Sequence, residues 1–584
     1  MTTVTESTTP VVEQGYWPHQ LPRHLEYPAL TVGDLNEYAA RAYPDRIGVR
    51  DGDATLTFAE IHAHACQVAH GLRSAGVRER DVVVLHQPNS LWFLPCYYGI
   101  LLAGATVAPT NPLQPAAGLR AQILETGAVA ALSHPQHLSL LEEARQGTAL
   151  QTLVVVPGTD VAPAPGDLPA GALTLAGLME GQPTTRPDTT AGPDDIAHLA
   201  YTGGTTGVPK AVRVLHRNVV SNVAQMAGWR AGHILGQDVH GATLRPLPDA
   251  AEAGVVPGDS VTVVISPMFH AHALINASFL HLCGTRQVLS GRFDPQRMLE
   301  LIERERATYI TGSPTMWHAL VGAGENAGDR EFTSLRVVSS GAAPIDLPTM
   351  EALQELFPST VILEGYGLTE GTCLVSVGPV FRDGRTKRGA VGVPIFDTEV
   401  EIRAGLTSEP LGPGERGELW VRGPQVTDGY FERPEATAQQ FVDGWLDTGD
   451  IAYVDEDGFI FICDRAKDML IYKGYNVYPR ELEDLLVAHP DVDGAAVVGR
   501  DVTAVGQEPV AFVVPVAGGR VDATALMAYV AERVLPYKKI RAVHFVDRLP
   551  SNPAGKILKT ELRSIANEPI ANRPSAKEPG DIHA

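Results

Sequence analysis

A loop at residues 201–210, with the sequence YTGGTTGVPK, constrains the fold of this chain more than any other feature. It contains three glycines, three threonines and one lysine within ten residues. Glycines let the backbone bend closely around a ligand with its N–H groups turned inward, and the hydroxyls and Lys210 add donors and a positive charge. The apolar residues 196–199 precede the loop and predict a buried strand. Because α/β proteins hold phosphates where a strand meets a glycine-rich loop, we expect an α/β fold that binds a polyphosphate here.

The loop does not have the spacing of the P-loop, because no glycine lies five residues before a Gly-Lys pair and Pro209 precedes the lysine. A mobile surface loop is the alternative, since segments rich in glycine and threonine usually have that role. The buried strand predicted directly before the loop favours phosphate binding.

Further blocks follow this loop in a fixed order. They are EGYGLTE at 364–370, WLDTGD at 445–450, DRAKD at 464–468 with YKGYN at 472–476, and NPAGK at 552–556. Together with the loop, these blocks resemble the signature motifs of the adenylate-forming superfamily, which contains acyl- and aryl-CoA synthetases, peptide-synthetase adenylation domains and beetle luciferases. The resemblance covers most of residues 30–565 and is greatest to the medium- and long-chain fatty acid–CoA ligases.

The length of 584 residues predicts two or more domains, because one hydrophobic core does not extend over so long a chain. Strands alternate with helices over residues 57–109, which predicts parallel sheets, and short strands and turns follow residue 382. The resemblance implies an α/β fold with a large N-terminal body of two parallel α/β sheets plus a small β subdomain, then a hinge and a small C-terminal α+β domain.

We place the domain boundaries where the pattern of predicted helices, strands and turns changes. The predicted segments are a disordered start at 1–14, an N-terminal adenylation domain at 15–464 with its β subdomain at about 383–464, a hinge at 465–468, a mobile C-terminal domain at 469–566 and a flexible tail at 567–584. Residues 157–195 and 232–259 are rich in proline and glycine and are predicted as surface excursions. The second either borders the substrate entrance or is only a mobile loop.

Charge and composition exclude several classes of partner. The net charge of −22 argues against nucleic acid or an anionic membrane as the main partner. No run approaches eighteen apolar residues and the start lacks a secretory signal, so we expect a cytoplasmic protein without a membrane span. Five widely spaced cysteines predict reduced thiols rather than disulfides.

The resemblance implies a reaction in two halves. A carboxylate attacks the α-phosphorus of ATP and gives an acyl-AMP and pyrophosphate, and the thiol of coenzyme A then takes the acyl group and releases AMP. The first half joins two anions, so the protein must neutralise charge and fix the geometry of attack. ATP, Mg²⁺ and coenzyme A are therefore the expected cofactors, and a small-molecule carboxylic acid is the expected partner.

The resemblance also assigns the nucleotide contacts. Groups that would hold the phosphates are Thr202, Gly203, Gly204, Thr205, Thr206, Gly207 and Lys210, with Thr369 on the α-phosphate. Groups that would surround the adenine are Gly341, Ala342, Ala343, Gly365, Tyr366 and Gly367, with the ring of Tyr366 stacked on the base. Asp450 and Arg465 would contact the ribose. Glu370 would bind Mg²⁺, which prefers one or two carboxylates together with phosphate oxygens.

Three lysines match positions that act in catalysis or domain motion in this superfamily. Lys556 would bridge the attacking carboxylate and the α-phosphate, a task suited to a compact charge on a flexible stem. Lys473 would act in the second half-reaction, after the small domain has rotated. Lys467 matches the hinge position, and a surface charge next to Asp468 is its alternative interpretation.

The acid-binding residues are predicted less specifically. By resemblance, Phe269, His270, Ala271 and Gly341 line the acyl pocket, and the segments around them are apolar. Because apolar burial alone can bind a long or polycyclic tail, we expect a bulky hydrophobic acid, fatty or terpenoid-like. His270 and His272 form a His-x-His pair, but no carboxylate or cysteine lies near them in sequence to complete a metal site.

Two other functions stay open. An enzyme that stops at acyl-AMP or passes it to a carrier protein would keep every nucleotide block, since no motif for coenzyme A is as specific. A non-catalytic nucleotide-binding protein would have no use for Lys556. A dinucleotide-binding loop at 365–371 is disfavoured because Glu370 stands where the third glycine belongs, and no Gly-x-Ser-x-Gly of a hydrolase occurs. The identity of the acid and the oligomeric state cannot be read from the sequence.

Overall fold

The computed structural model describes residues 17–158, 168–202, 209–324, 330–341, 343, 345–381, 386–405, 407–473, 475–502, 505–516, 521–551 and 556–568. The predicted disordered start, most of the predicted tail and the centre of the phosphate-binding loop lie outside these residues. The predicted contact residues that fall outside them are Gly203, Gly204, Thr205, Thr206, Gly207 and Ala342.

The α-helices of the described residues are numbered in chain order. They are α1 Val32–Ala42, α2 Phe58–Ser74, α3 Phe93–Leu102, α4 Ala116–Thr126, α5 Leu138–Arg145, α6 Leu175–Met179, α7 His216–Ala231, α8 Ala271–Leu282, α9 Pro295–Arg304, α10 Pro314–Gly324, α11 Leu347–Leu356, α12 Pro434–Gln440, α13 Pro479–Val487, α14 Ala523–Ala531 and α15 Lys559–Asn567.

The strands are numbered in the same way. They are β1 Ile47–Asp51, β2 Ala54–Thr57, β3 Val82–His86, β4 Thr106–Pro109, β5 Ala130–Ser133, β6 Thr152–Val155, β7 Leu173–Thr174, β8 Ile196–Tyr201, β9 Ala211–Leu215, β10 His233–Asp238, β11 Gly241–Pro246, β12 Val261–Val264, β13 Arg286–Leu289, β14 Tyr309–Gly312, β15 Val337–Ser340, β16 Val361–Tyr366, β17 Ser376–Val377, β18 Val393–Pro394, β19 Glu399–Arg403, β20 Gly417–Arg422, β21 Phe441–Val442, β22 Trp445–Val454, β23 Ile460–Arg465, β24 Leu470–Tyr472, β25 Tyr475–Val477, β26 Val492–Val502, β27 Gly506–Pro515 and β28 Ala542–Phe545.

Two large, mainly parallel sheets form the body of the protein, as predicted. The first has the order β7-β6-β5-β3-β4-β8-β9, with only β9 antiparallel to its neighbour. The second has the order β18-β17-β16-β15-β14-β12-β13-β1-β2, and its centre from β16 to β1 is parallel. The predicted α/β fold class is therefore confirmed.

Helices α3, α7 and α8 pack in one apolar cluster that also contains side chains from both large sheets. All ten residues of α3 are buried, and its sequence FLPCYYGILL has no polar face. Helices that are apolar on every side belong in the interior of a large domain. These helices consequently hold the two sheets together and carry buried side chains towards the ends of the strands.

Two smaller sheets follow. Strands β19 to β23 form an antiparallel sheet within the predicted β subdomain, and β24 to β28 form a mixed sheet within the predicted C-terminal domain. A turn at 455–458 joins β22 to β23, and Pro479 occupies the first turn of α13, where a proline is well tolerated. The exact domain boundaries stay a prediction.

The segment at 232–259, predicted as a surface excursion, contains a regular hairpin. Strands β10 and β11 pair in register from His233 with Pro246 to Asp238 with Gly241. Arg41 of α1 donates from Nη1 to the carbonyl oxygen of His240 at 2.7 Å and from Nη2 to that of Ala242 at 2.6 Å. The Arg41 contacts join this hairpin to a helix distant in sequence, so the local composition of the segment does not predict them.

The C-terminal sheet lies against the second large sheet. Nε2 of His318 on α10 is 3.1 Å from Oδ1 of Asp493 on β26. The charges of Arg480 and Asp484 on α13 act on the buried carboxyl of Glu364, whose pKa is raised to about 7 mainly by burial. Among the described residues, no helix is long and apolar enough to cross a membrane.

Candidate active site

A cavity opens at the carboxyl ends of β14, β15 and β16, where parallel sheets usually bind ligands. Gly312, Ser340 and Glu364 are aligned in register at these ends. The residues that line the cavity are Arg230, Ser266, Pro267, His270, Ala271, His272, Ala273, Ser313, Ser339, Ser340, Gly341, Gly365, Tyr366, Gly367, Leu368, Thr369, Cys373 and Leu374. Members of three predicted sets thus meet in one cavity, namely Gly341, Gly365, Tyr366 and Gly367 of the adenine site, Thr369 of the α-phosphate site, and His270 and Ala271 of the acyl pocket.

The glycine at position 367 is required by packing. A Cβ built on Gly367 would lie 1.5 Å from the carbonyl oxygen of Cys373, a distance no side chain can occupy. The loop after β16 can therefore turn against residues 373–374 only if position 367 lacks a side chain. This close packing fixes Tyr366 and Thr369 on either side of the glycine.

Three of the predicted nucleotide contacts are joined directly. The hydroxyl of Tyr366 donates to Oδ2 of Asp450 at 2.6 Å, and Oδ1 of Asp450 lies 3.5 Å from Nε of Arg465. Asp450 is buried at 6% exposure, and burial and the Asp450 carboxylate hold the pKa of Tyr366 above its usual range. β22 and β23 carry Asp450 and Arg465 as a paired register position, so the sheet itself sets their separation.

A second cluster links the phosphate loop to the predicted magnesium ligand. The hydroxyl of Tyr430 donates to Oε1 of Glu370 at 2.7 Å, and Nζ of Lys210 lies 4.5 Å from the centre of the Tyr430 ring. Sequence reasoning missed Tyr430. The sequence signal was an aromatic residue directly after a glycine. In the structure Gly429 has a φ of 136°, a conformation that favours glycine.

The described flanks of the phosphate loop are held together. The N–H of Thr202 donates to the carbonyl oxygen of Lys210 at 3.1 Å, between the end of β8 and the start of β9. The loop therefore leaves and re-enters the first sheet at one place. The strand predicted before the loop is confirmed as β8.

Lys556 comes from the C-terminal part of the chain and approaches the Asp450 cluster. Ser551 and Ile557 form an antiparallel bridge that brings the two sides of the last motif together. The pKa of Lys556 is lowered to about 8, mainly by burial and next by the charge of Arg465, with Lys467 acting in the same direction and Asp450 opposing them. These influences require Lys556 to lie close to the ribose-site residues.

Lys467 lies in the same charged region. Burial lowers its pKa to about 8, and the charges of Arg465, Asp450 and Glu370 also act on it. Its side chain is nevertheless exposed to solvent, so the surface-charge interpretation stays open. The predicted hinge position therefore lies beside the nucleotide contacts, and its role in domain motion stays a prediction.

Lys473 lies apart from the cavity in this structure. It is exposed, in the turn between β24 and β25, and its φ of 51° is left-handed. Its N–H donates to the carbonyl oxygen of Val505 at 2.7 Å, and its Nζ lies 5.6 Å from the centre of the Tyr472 ring. The structure thus brings Lys556, and not Lys473, to the nucleotide contacts.

The predicted acyl-pocket residues are only partly brought together. His270, Ala271 and Gly341 line the cavity, whereas Phe269 does not, and its ring packs on that of His270 at 4.8 Å. Ala343 is half-buried and is not among the lining residues. Burial lowers the pKa of His270, which keeps this imidazole neutral near pH 7.

The deep part of the cavity contains polar residues that the sequence reasoning did not predict. Arg230 at the end of α7 donates from Nη1 to Oδ1 of Asn276 and to the hydroxyl of Tyr309. The cavity is therefore not lined by apolar side chains alone, although the segments predicted to form the acyl pocket are apolar. No signal in the sequence could have found this group, because its members come from α7, α8 and β14.

Comparisons with known proteins agree with these motifs. The family model described as AMP-binding enzyme matches residues 36–431, and that of the AMP-binding enzyme C-terminal domain matches residues 481–556. A feruloyl-CoA synthase from Amycolatopsis sp is 35% identical over 528 residues, covering 90% of this chain and 96% of that protein. The 4-coumarate-CoA ligase 1 of Narcissus pseudonarcissus is 33% identical, covering 93% and 94% of the two chains.

Solved structures show the same architecture. The crystal structure of ATP-bound MatB from Rhodopseudomonas palustris has a TM-score of 0.79 with 25% identity, covering 92% of this chain and 99% of that one. The names of the two sequence relatives point to aromatic acids, so the expectation of a fatty or terpenoid-like acid has no support in them. On the family match, the shared fold and these motifs, the chain belongs to the adenylate-forming superfamily of AMP-binding enzymes, as an AMP-forming ligase of the acyl-CoA synthetase type.

Proposed function

We propose that this enzyme activates an aromatic carboxylic acid with ATP to an acyl-AMP and then transfers the acyl group to coenzyme A. The reaction type follows from the family. The aromatic substrate is our inference from the relatives named as feruloyl-CoA synthase and 4-coumarate-CoA ligase. Each of them spans nearly the full length of this chain, so the acyl pocket lies within the matched region.

One observation carries the proposal for the first half-reaction. Lys556 lies close to Asp450 and Arg465, and Asp450 is bonded to Tyr366, which lines the same cavity as His270 and Ala271. A cation beside both the nucleotide contacts and the acyl cavity is what the attack of one anion on another requires. Preorganised charges of this kind are usually the largest contribution to catalysis.

The remaining residues have roles that follow from their positions. We assign the ribose hydroxyls to Asp450 and Arg465, the adenine to the Tyr366 ring and the α-phosphate to Thr369. Lys210 and the loop that it ends would hold the β- and γ-phosphates and then the departing pyrophosphate. Because Asp450 is fixed by Tyr366 and Arg465, it needs little reorganisation when the nucleotide binds.

Glu370 fits a magnesium ion that is shared with the phosphates. Among the described residues no group of three His, Cys, Asp or Glu side chains could form a complete protein cage. Mg²⁺ commonly uses one or two carboxylates and completes its shell with phosphate oxygens and water. When bound there, the ion would neutralise charge on the phosphates, and the Tyr430 hydroxyl would orient the Glu370 carboxylate.

We assign the second half-reaction to a rotated arrangement of the C-terminal domain. Lys473 is exposed and away from the cavity, so a role at the reacting carbon requires this domain to turn about residues 465–468. The turn would remove Lys556 from the nucleotide and bring the region around Lys473 to the cavity. Such gating motions are common in enzymes that perform two reactions in one site.

A panel of acids tests the substrate class. Pyrophosphate release with Mg²⁺ and ATP is measured for cinnamate-type and benzoate-type acids, straight-chain fatty acids and bicyclic terpenoid-like acids. We expect the highest kcat/KM with an aromatic acid. Activation of fatty or terpenoid-like acids in preference to every aromatic acid would refute the aromatic substrate.

The adenylation-only alternative is tested by the need for coenzyme A. With the best acid of the panel, AMP release and thioester formation are followed with and without coenzyme A. We expect a thioester and an AMP release that depends on coenzyme A. Acyl-AMP that persists unchanged when coenzyme A is present would favour the enzyme that hands acyl-AMP to another acceptor.

A further inference from the structure

A buried cluster of polar side chains borders the cavity through Arg230, and its members lie outside the nucleotide motifs. Arg230 is 2% exposed, lines the cavity and belongs to the last turn of α7. Its Nη1 donates to Oδ1 of Asn276 at 2.9 Å and to the Tyr309 hydroxyl at 2.6 Å. Its Nε is buried and has no hydrogen-bond partner among the described residues. A guanidinium has five N–H donors, so this cluster leaves donors for a ligand.

The strand register places this cluster deep in the cavity. Tyr309 is paired with Val337 at the start of β14 and β15, whereas both strands end three residues later at Gly312 and Ser340. At ~3.3 Å per residue, the backbone of Tyr309 lies about 10 Å from the strand ends that face the nucleotide motifs.

The order of residues along helix α8 also places this cluster away from the nucleotide end of the cavity. Nε2 of His272 is 3.0 Å from the Thr311 hydroxyl and 3.4 Å from a Cβ built on Gly341. Asn276 lies one helical turn further along, and its Nδ2 donates to the carbonyl oxygen of His272 at 2.7 Å. The cavity therefore has Gly341 at its nucleotide end, His272 in the middle and Arg230 at the far end.

Arg230 provides the only Asp, Glu, Lys or Arg side chain among the described residues that line the cavity. His272 adds no second positive charge, since burial and the nearby Arg230 cation lower its pKa to about 4 and keep it neutral. The carbonyl end of α7 carries a partial negative charge, which reduces the cost of burying the guanidinium. A buried cation that contacts only neutral oxygens is nevertheless poised for an anion.

We propose that the acid activated by this enzyme carries a second carboxylate at the end remote from the reacting carboxyl, and that Arg230 binds this second carboxylate. Guanidinium and carboxylate can form two parallel hydrogen bonds, which adds geometric selectivity to charge pairing. Asn276 and Tyr309 would act as positioning residues that hold the guanidinium. The proposal rests on the proposed function, because it concerns the substrate of the same cavity.

The first experiment uses the wild-type enzyme alone. Aromatic acids that differ only in a distal hydrogen, hydroxyl or carboxylate are compared by kcat/KM for acid-dependent pyrophosphate release. We expect the distal carboxylate to be preferred over the distal hydrogen by at least about tenfold, because a buried polar group rejects an analogue that leaves it unpaired. A preference for the hydrogen or hydroxyl acid would overturn the proposal.

Variants distinguish two roles of Arg230, binding of the substrate and a purely structural link between α7, α8 and β14. Arg230→Met should lower kcat/KM for the distal carboxylate by roughly a hundredfold and leave the hydrogen analogue within about threefold, which reverses the preference. Arg286→Met is the matched control, since Arg286 pairs with Glu305 and does not line the cavity, and it should not change the ratio. An equal loss with every acid in Arg230→Met would show a purely structural role and overturn the proposal.

A milder variant keeps the proposal testable if Arg230→Met does not fold. Tyr309→Phe keeps the ring and removes only the hydroxyl bonded to Arg230, so it should lower the carboxylate-to-hydrogen ratio by about threefold. An unchanged ratio in this variant would count against the proposal.

Aliphatic dicarboxylic acids of matched length show whether the assignment of Arg230 or the proposal of an aromatic substrate is wrong. Activation of such diacids in preference to all aromatic acids would refute the aromatic substrate and support the assignment of Arg230. Activation of aromatic acids without any distal preference would refute only the assignment of Arg230.

Discussion

The nucleotide end and the deep end of the cavity differ in how charge is compensated. At the nucleotide end, Asp450 faces Arg465, and Glu370 and Lys210 approach opposite parts of Tyr430. At the deep end, Arg230 contacts only neutral oxygens among the described residues. A site with balanced charges can release a charged product and remain stable, whereas an uncompensated buried charge discriminates strongly among ligands. We therefore expect turnover to depend mainly on the nucleotide end and selectivity among acids mainly on the deep end.

The largest test of the nucleotide end removes its mobile cation. Lys556→Ala should slow acid-dependent ATP–pyrophosphate exchange by roughly 10²–10³-fold or more, as loss of a preorganised group at the reacting centre usually does. Exchange at saturating acid and ATP is the measurement. If this variant exchanges at the wild-type rate, Lys556 does not take part in adenylation. The balanced charges at the nucleotide end would then not depend on this lysine for catalysis.

The pH dependence of adenylation gives the next largest effect. The pKa of Lys556 is lowered to about 8, and the role proposed for Lys556 needs its ammonium form, so kcat/KM for exchange should fall above pH 8 by about tenfold per pH unit. Profiles from pH 7 to pH 10 measure this fall. Lys556→Arg keeps a cation at every pH in that range and should lose the alkaline limb, which separates Lys556 from Lys467. If kcat/KM of Lys556→Arg still falls above about pH 8, the titrating group is not Lys556.

Lys473, which lies outside the cavity, should affect only the second half-reaction, in contrast to Lys556. Lys473→Ala should leave exchange within about twofold of wild type and slow thioester formation by about tenfold, the loss of one charge-assisted hydrogen bond. Single-turnover transfer from preformed acyl-AMP to coenzyme A measures it. Equal loss of both half-reactions in Lys473→Ala and Lys556→Ala would contradict rotation of the C-terminal domain.

The smallest expected effect concerns the tyrosine shared by Glu370 and Lys210. Tyr430→Phe keeps the ring under Lys210 and removes the donor to Glu370, so KM for magnesium–ATP should rise by about three- to tenfold. Tyr453→Phe is the matched control, because the Tyr453 ring stacks on Phe461 in the β19–β23 sheet and does not line the cavity. An equal change in the two variants would indicate a general loss of stability.

The two ends also differ in how far the sequence predicts them. Tyr366 and Glu370 lie in one motif and Asp450 in another, and the resemblance of these motifs implies that the three residues meet at the nucleotide. The parallel sheet that carries Tyr366 is predicted as well, whereas Asp450 lies on β22 of the antiparallel sheet. Arg230 and Tyr309 become neighbours only when α7 packs against β14, and an arginine near a helix end is common for other reasons. Tertiary contacts of this kind, like that of Arg41 with the β10–β11 hairpin, have no local signature.

Phe269 illustrates the limit within a motif. The resemblance implies that it lines the acyl pocket, but its ring packs on His270 outside the lining residues. A motif fixes the backbone position of a residue, whereas neighbouring rings decide which side chain faces the ligand. Single-residue assignments within the acyl pocket therefore need the packed structure, even where the block itself is specific.

The chain passes from β23 to β24 through residues that already contact the nucleotide region. Arg465 ends β23 beside Asp450, and the charges of Asp450 and Glu370 reach Lys467 two residues later. A torsion in this short connection must displace at least one of these side chains. We therefore expect ribose occupancy to bias the orientation of the whole C-terminal sheet, so that departure of the nucleotide is transmitted mechanically through the backbone.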